Sequence, residues 1–134
     1  MKRSALYLLA FAVALATPVR AADAEWAPDQ ALIGKIETAF APIMAAGLTD
    51  IGDHPVKALA PLKDYSRYYA GETTNGEKVV VGSFTSGPFW EGTPGVHIVT
   101  MKELPSGFGG GCGMIHIWYH VATGKVESVC NITE

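Results

Sequence analysis

Strong helical periodicity is confined to one stretch early in the chain, and most of the later sequence alternates as strands do. That imbalance constrains the fold most. Leu32, Ile33, Ile36, Phe40, Ile43, Met44 and Gly47 recur at helical spacing, with Lys35, Glu37 and Thr38 between them. Pro28 suits a first helical turn, where its missing N–H matters little. Asp29 places negative charge at the positive end of the helix. Pro42 predicts a kink or a division, because it removes an internal hydrogen bond and crowds the preceding turn. Gly47 reads as the terminator.

Downstream, residues 52–55 read as a turn and residues 56–62 as a short helical turn broken by Pro61. The pattern then becomes extended. Residues 65–70 are aromatic-rich, residues 71–77 carry the turn signal Asn75-Gly76, and residues 78–85 hold Val79, Val80, Val81 and Phe84. After a Gly-, Pro- and Trp-bearing loop, residues 96–101 read as a strand, followed by the glycine-dense segment 107–113. Residues 114–121 and 125–132 flank Ala122-Thr123-Gly124, which predicts an antiparallel hairpin. A lone amphipathic helix must bury its apolar face on another element. The expected fold is therefore α+β, one N-terminal helix packed on a curved antiparallel sheet of four to five strands. In element order, across residues 28–132, this resembles the cystatin-like fold class. The inhibitor loop motif of the cystatins is absent, so the resemblance does not carry their protease-inhibiting activity.

The first residues predict an address. Lys2 and Arg3 precede an apolar run from Ala5 to Ala16, Pro18 breaks it, and Ala21, Ala22 and Ala24 follow. This is the pattern of a cleaved export signal. Twelve apolar residues are too few to cross a bilayer, which takes about 20 in a helix. Cleavage is expected after Ala21, or as late as Ala24, leaving residues 22–134 as one small domain without stable membrane insertion. Removing Lys2, Arg3 and Arg20 leaves seven basic against thirteen acidic residues, a net charge of −6 with neutral histidines. Such a surface gives little attraction to phosphate backbones, so nucleic acid is not an expected partner.

Export to an oxidising compartment, periplasmic or extracellular, favours a disulfide between the chain's two cysteines, Cys112 and Cys130. Centring the hairpin turn on Thr123 places His116 opposite Cys130. Joining the cysteines then requires a bend through the glycines of residues 107–113.

The same hairpin divides the sheet faces. Ile115, Ile117 and Tyr119 are expected toward the helix, facing Asn131, Val129 and Glu127. Met114, His116, Trp118 and His120 point the other way, with Val126, Ser128 and Cys130. His116, Trp118 and His120, with Trp90 from the preceding loop and Tyr68 or Phe84 alongside, form a candidate ligand-binding surface. His97 and His116 are the catalytic candidates, since neutral imidazole suits general-base work. His116 and His120 lie roughly 13 Å apart along one strand, at about 3.3 Å per residue, so they do not share a zinc ion. No metal or cofactor is expected. The tyrosines near Arg67 read as strand packing, and the glycines of residues 107–113 lack the Lys-Ser/Thr ending of a phosphate loop. The expectation is an exported, non-enzymatic domain that binds a protein, peptide or small ligand. The alternative is a small hydrolase or isomerase-like enzyme using His97 or His116.

Overall fold

The computed structural model describes residues 25–49, 54–56, 59–86, 92–106 and 111–130. The leader, its cleavage positions, Trp90 and Asn131 lie outside them.

The predicted helix forms as α1, Gln30–Ala46. Asp29 is its N-cap and accepts the Leu32 N–H at 2.8 Å, satisfying one of the donors that a helix start leaves open. Pro28 therefore precedes the helix rather than opening it, and is buried there. Pro42 does not divide the helix, which runs unbroken to Ala46. Its ring lies on the exposed side, while Phe40 and Met44 stay buried on either side of it. Gly47 ends the helix at φ 100°, its N–H bonding the Met44 carbonyl. No described helix is long and apolar enough to cross a membrane.

After α1 come two short paired strands, β1 (Leu48–Thr49) and β2 (Pro55–Val56). Of the helical turn expected over residues 56–62, Val56 lies in β2 and Leu62 opens a 3-10 turn, Leu62–Asp64, while residues 57–58 lie outside the described residues. The main sheet contains β3 (Ser66–Thr74), β4 (Glu77–Thr85), β5 (Gly95–Ile98), β6 (Met114–His120) and β7 (Val126–Cys130). Its spatial order is β5-β3-β4-β6-β7. Four of these strands form an antiparallel meander, and β5 joins the outer edge of β3 in parallel. The sheet is thus mixed, not wholly antiparallel. β4 ends and β5 begins on opposite sides of Ser66, the first residue of β3, so β5 runs the same way as β3. The β3–β4 hairpin turns on Asn75 and Gly76, both at positive φ, as a tight two-residue turn demands.

Alternation sends Tyr65, Tyr69, Val80, Phe84, Ile115, Ile117 and Tyr119 to the helix side, where they form one core with Ile33, Ile36, Phe40 and Met44. Phe84 sits edge-on to both Phe40 and Tyr69, with ring centroids 5.6 and 5.4 Å away. A polar weld crosses this interface. Arg67 Nε donates to Glu37 Oε1 at 2.6 Å, Tyr69 Oη donates to the same oxygen at 3.0 Å, and Arg67 Nη1 reaches the Leu62 and Tyr65 carbonyls. Burial, then the neighbouring Glu37 charge, holds the Tyr69 phenol far above its ordinary pKa, so it stays a donor. Before the helix, Trp26 straps the sheet: its backbone bridges Gly71, Nε1 donates to the Glu72 carbonyl at 3.1 Å, and Lys78 lies over its ring.

Cys112 and Cys130 form the expected disulfide, with Cα atoms 4.8 Å apart. The hairpin register differs by one residue from the expected one. Its loop is four residues, 121–124, rather than three, closed by His120 N–H to the Lys125 carbonyl at 2.9 Å, with Gly124 at φ 71°. Ile115 consequently faces Cys130, Ile117 faces Ser128, and Tyr119 faces Val126. One residue of slip exchanges the faces of a strand. Cys130 thus turns into the core, whereas Val129 and Glu127 join His116 and Trp118 on the other side. The 3-10 turn Gly111–Gly113 lays Cys112 into the same core, where its carbonyl accepts from Tyr65 Oη at 3.1 Å.

Candidate functional site

The register aligns one polar row across the face turned away from the helix: His97 of β5, Tyr68 of β3, Ser83 of β4, His116 of β6 and Val129 of β7. Beside it runs a second row of Ala70, Val81, Trp118 and Glu127, then a third of Glu72, Val79 and His120. His97, Tyr68, His116 and Trp118 are all half-buried, while the small Ala70 and Ser83 between them are buried. The face is a row of rings standing around a floor of small side chains.

Each ring is held. Tyr68 and His97 stack at 4.8 Å between centroids, with planes 21° apart. His97 Nε2 lies 3.0 Å from the Thr93 carbonyl, which fixes Nε2 as the protonated nitrogen because a carbonyl can only accept. Ser66 Oγ donates to the same carbonyl at 2.8 Å. Ser83 Oγ is 3.0 Å from His116 Nδ1, and Trp118 leans against that imidazole at 6.4 Å between centroids. Burial lowers the His116 pKa below its ordinary 6.5, so its ring is neutral at pH 7. A serine–imidazole pair could suggest nucleophilic chemistry. Ser83 is 1% exposed, however, and its hydroxyl is closed to an incoming substrate. Its effect is to orient the ring.

His116 and His97 belong to the same row but not to one centre. Two strands, β3 and β4, lie between theirs, which sets their backbones about 14 Å apart at roughly 4.8 Å per strand. Among the described residues, no group of three His, Cys, Asp or Glu side chains could hold a metal ion. Phe84, one of the two rings that alternation offered to this face, points into the core, whereas Tyr68 joins the row.

His120 is engaged differently. Its Nδ1 lies 2.9 Å from Glu77 Oε1 and its Nε2 3.1 Å from Glu127 Oε2, while Lys125 Nζ is 3.1 Å from the other Glu127 oxygen. Hydrogen bonds to Glu127 and then Glu77 raise its pKa above 6.5. This makes His120 an ion-pair partner at the rim rather than a neutral binding ring. An apolar groove lined by Ala41, Met44, Leu59 and Leu62 lies on the helix side of the sheet, away from the row.

Ser83, Glu77 and Glu127 are the parts that sequence reasoning missed. Ser83 carried a signal, a hydroxyl in a valine-rich strand that burial would oblige to find a partner. The glutamates carried none without the register. No protein-family model matches the chain, and comparison with the curated proteins and the solved structures found no match.

Proposed function

We propose that this is an exported binding domain that recognises a peptide, protein or small ligand with the sheet face turned from its helix. One observation carries the reading: four half-exposed rings, His97, Tyr68, His116 and Trp118, share one face and are each held by a stacking, hydrogen-bonding or ring contact. Rings fixed before binding lose little freedom on contact, which is how recognition surfaces keep affinity. The buried disulfide fits an oxidising compartment, periplasmic or secreted, as the leader does. The helix-then-sheet order supports a cystatin-like arrangement, from which the parallel β5 is a departure.

A second reading, a hydrolase or isomerase-like enzyme, draws support from the neutral His116 imidazole, a serviceable base near pH 7. The burial of Ser83 favours binding over nucleophilic catalysis.

The test is co-purification from the exported fraction, where intact mass should give a chain beginning at Ala22 or Glu25. Material captured by the wild type should be lost from His116→Ala and Trp118→Ala while their circular dichroism stays native, and retained by Lys102→Ala on the helical turn after β5. Equal capture by all four proteins would refute the assignment of this face. Turnover of captured material, abolished by His116→Ala, would establish the enzymatic reading.

A further inference from the structure

We propose that His120 is a proton-operated clasp that ties β4 and β7 onto the end of β6 in mildly acidic surroundings and releases the edge strand β7 as the pH rises. The geometry specifies the state of the ring. Both imidazole nitrogens lie within hydrogen-bond distance of a carboxylate oxygen, Nδ1 of Glu77 and Nε2 of Glu127. Carboxylate oxygens accept and cannot donate, so both nitrogens must carry hydrogen, which imidazole does as imidazolium. A ring that loses one proton turns a lone pair toward one of those carboxylates, and that contact becomes repulsive.

The surrounding charges decide which contact yields. Glu77 stands at the start of β4, Glu127 on β7 and Lys125 just before β7, with Glu72 of β3 in the same row beyond Val79. Lys78 is turned to the opposite side, over Trp26. Glu127 keeps Lys125 as an alternative partner, so Glu127 is the group that leaves. Its strand is the sheet edge, covalently tethered at Cys130. Release therefore loosens the Val126 end and leaves the other end anchored.

Both titrations define the window in which the clasp is shut. Hydrogen bonds to Glu127 and Glu77 raise the His120 pKa, so its contribution is complete below 6.5 and is lost as pH climbs through the raised value. Hydrogen bonds from His120 and then Lys125 lower the Glu127 pKa, so its contribution is complete above 4.5 and is lost as pH falls through the lowered value. The clasp is fully shut between those two ordinary values, independently of what the ring-lined face binds.

Ring-resolved NMR titration of the whole exported chain tests this, together with amide exchange at pH 5.5 and at a pH about two units above the His120 midpoint that the titration finds. The His120 midpoint should lie above 6.5 and should fall in both Glu77→Gln and Glu127→Gln. At pH 5.5, β7 amides, referenced to those of β3 and β4, should be protected about twofold to fivefold more in the wild type than in Glu127→Gln, the scale of an exposed ion pair. Above the His120 midpoint, with the ring neutral, the two proteins should match. A wild-type midpoint at or below 6.5, a midpoint unmoved by both substitutions, or an equal protection ratio at the two pH values would each overturn the clasp.

Discussion

Ile117 and Gly82 stand directly opposite each other on β6 and β4, and the absent side chain of Gly82 is the seat of the Ile117 side chain. A methyl group built on Gly82 would lie 2.6 Å from Ile117 Cγ1, 3.2 Å from its Cδ1 and 3.1 Å from Phe84 Cε1. Truncating Ile117, which is fully buried, removes three carbons. At about 0.8 kcal/mol per buried carbon, that loses about 2.4 kcal/mol of transfer energy. The incompletely relaxed cavity brings the cost of Ile117→Ala to about 3–4 kcal/mol. Gly82→Ala alone overpacks the same spot and should cost about 1–3 kcal/mol. In the double variant, the new methyl occupies space vacated by Ile117, so the combined loss should fall short of the sum by about 1–2 kcal/mol. Urea unfolding followed by circular dichroism measures all three variants, with m-values checked for a common denatured state. Additivity within about 0.5 kcal/mol would refute the proposition that these residues share one packing site.

Two further perturbations address the covalent and strap contacts. Peptide mapping without reduction should recover Cys112 linked to Cys130, and reduction should cost about 3 kcal/mol for an 18-residue separation; free alkylation of both thiols in the folded protein would contradict this. A side chain at Gly71 would overlap the Trp26 carbonyl and indole, so Gly71→Ala should displace the strap and shift the Trp26 indole N–H resonance as its bond to the Glu72 carbonyl breaks. An unmoved resonance would show that the strap tolerates the methyl.

The helix and the sequence positions of the main strands were legible because their signals are local. Apolar spacing placed Ile33, Ile36, Phe40 and Met44 on one helix face, and alternation assigned Ile115 and Ile117 to the core. Features that depend on pairing were less legible. A four-residue loop in place of a three-residue one moved Cys130 from the His116 side to the core side, where the turn at Gly111–Gly113 brings Cys112 to meet it. The parallel docking of β5 has no local signature, because it depends on the route of the chain past β3. The candidate site divides in the same way. His97, His116 and Trp118 were identifiable as residue types on strands, but Ser83 beneath His116 and the two carboxylates around His120 emerge from register.

The bond between Cys112 and Cys130 closes a covalent ring around the last hairpin, and nearly all of the excursion from β4 through β5 to β6 lies outside that ring. A protease cut within residues 121–124 therefore leaves a single covalent molecule while the cystine is intact. A cut between Ile98 and Cys112 instead yields two pieces: one carrying α1 and strands β1–β5, the other β6 and β7. The β4–β6 ladder and the shared core then hold them together without a covalent link. Oxidation thus protects the two connections unequally, and the survival of a nicked chain depends on which side of Cys112 the nick falls.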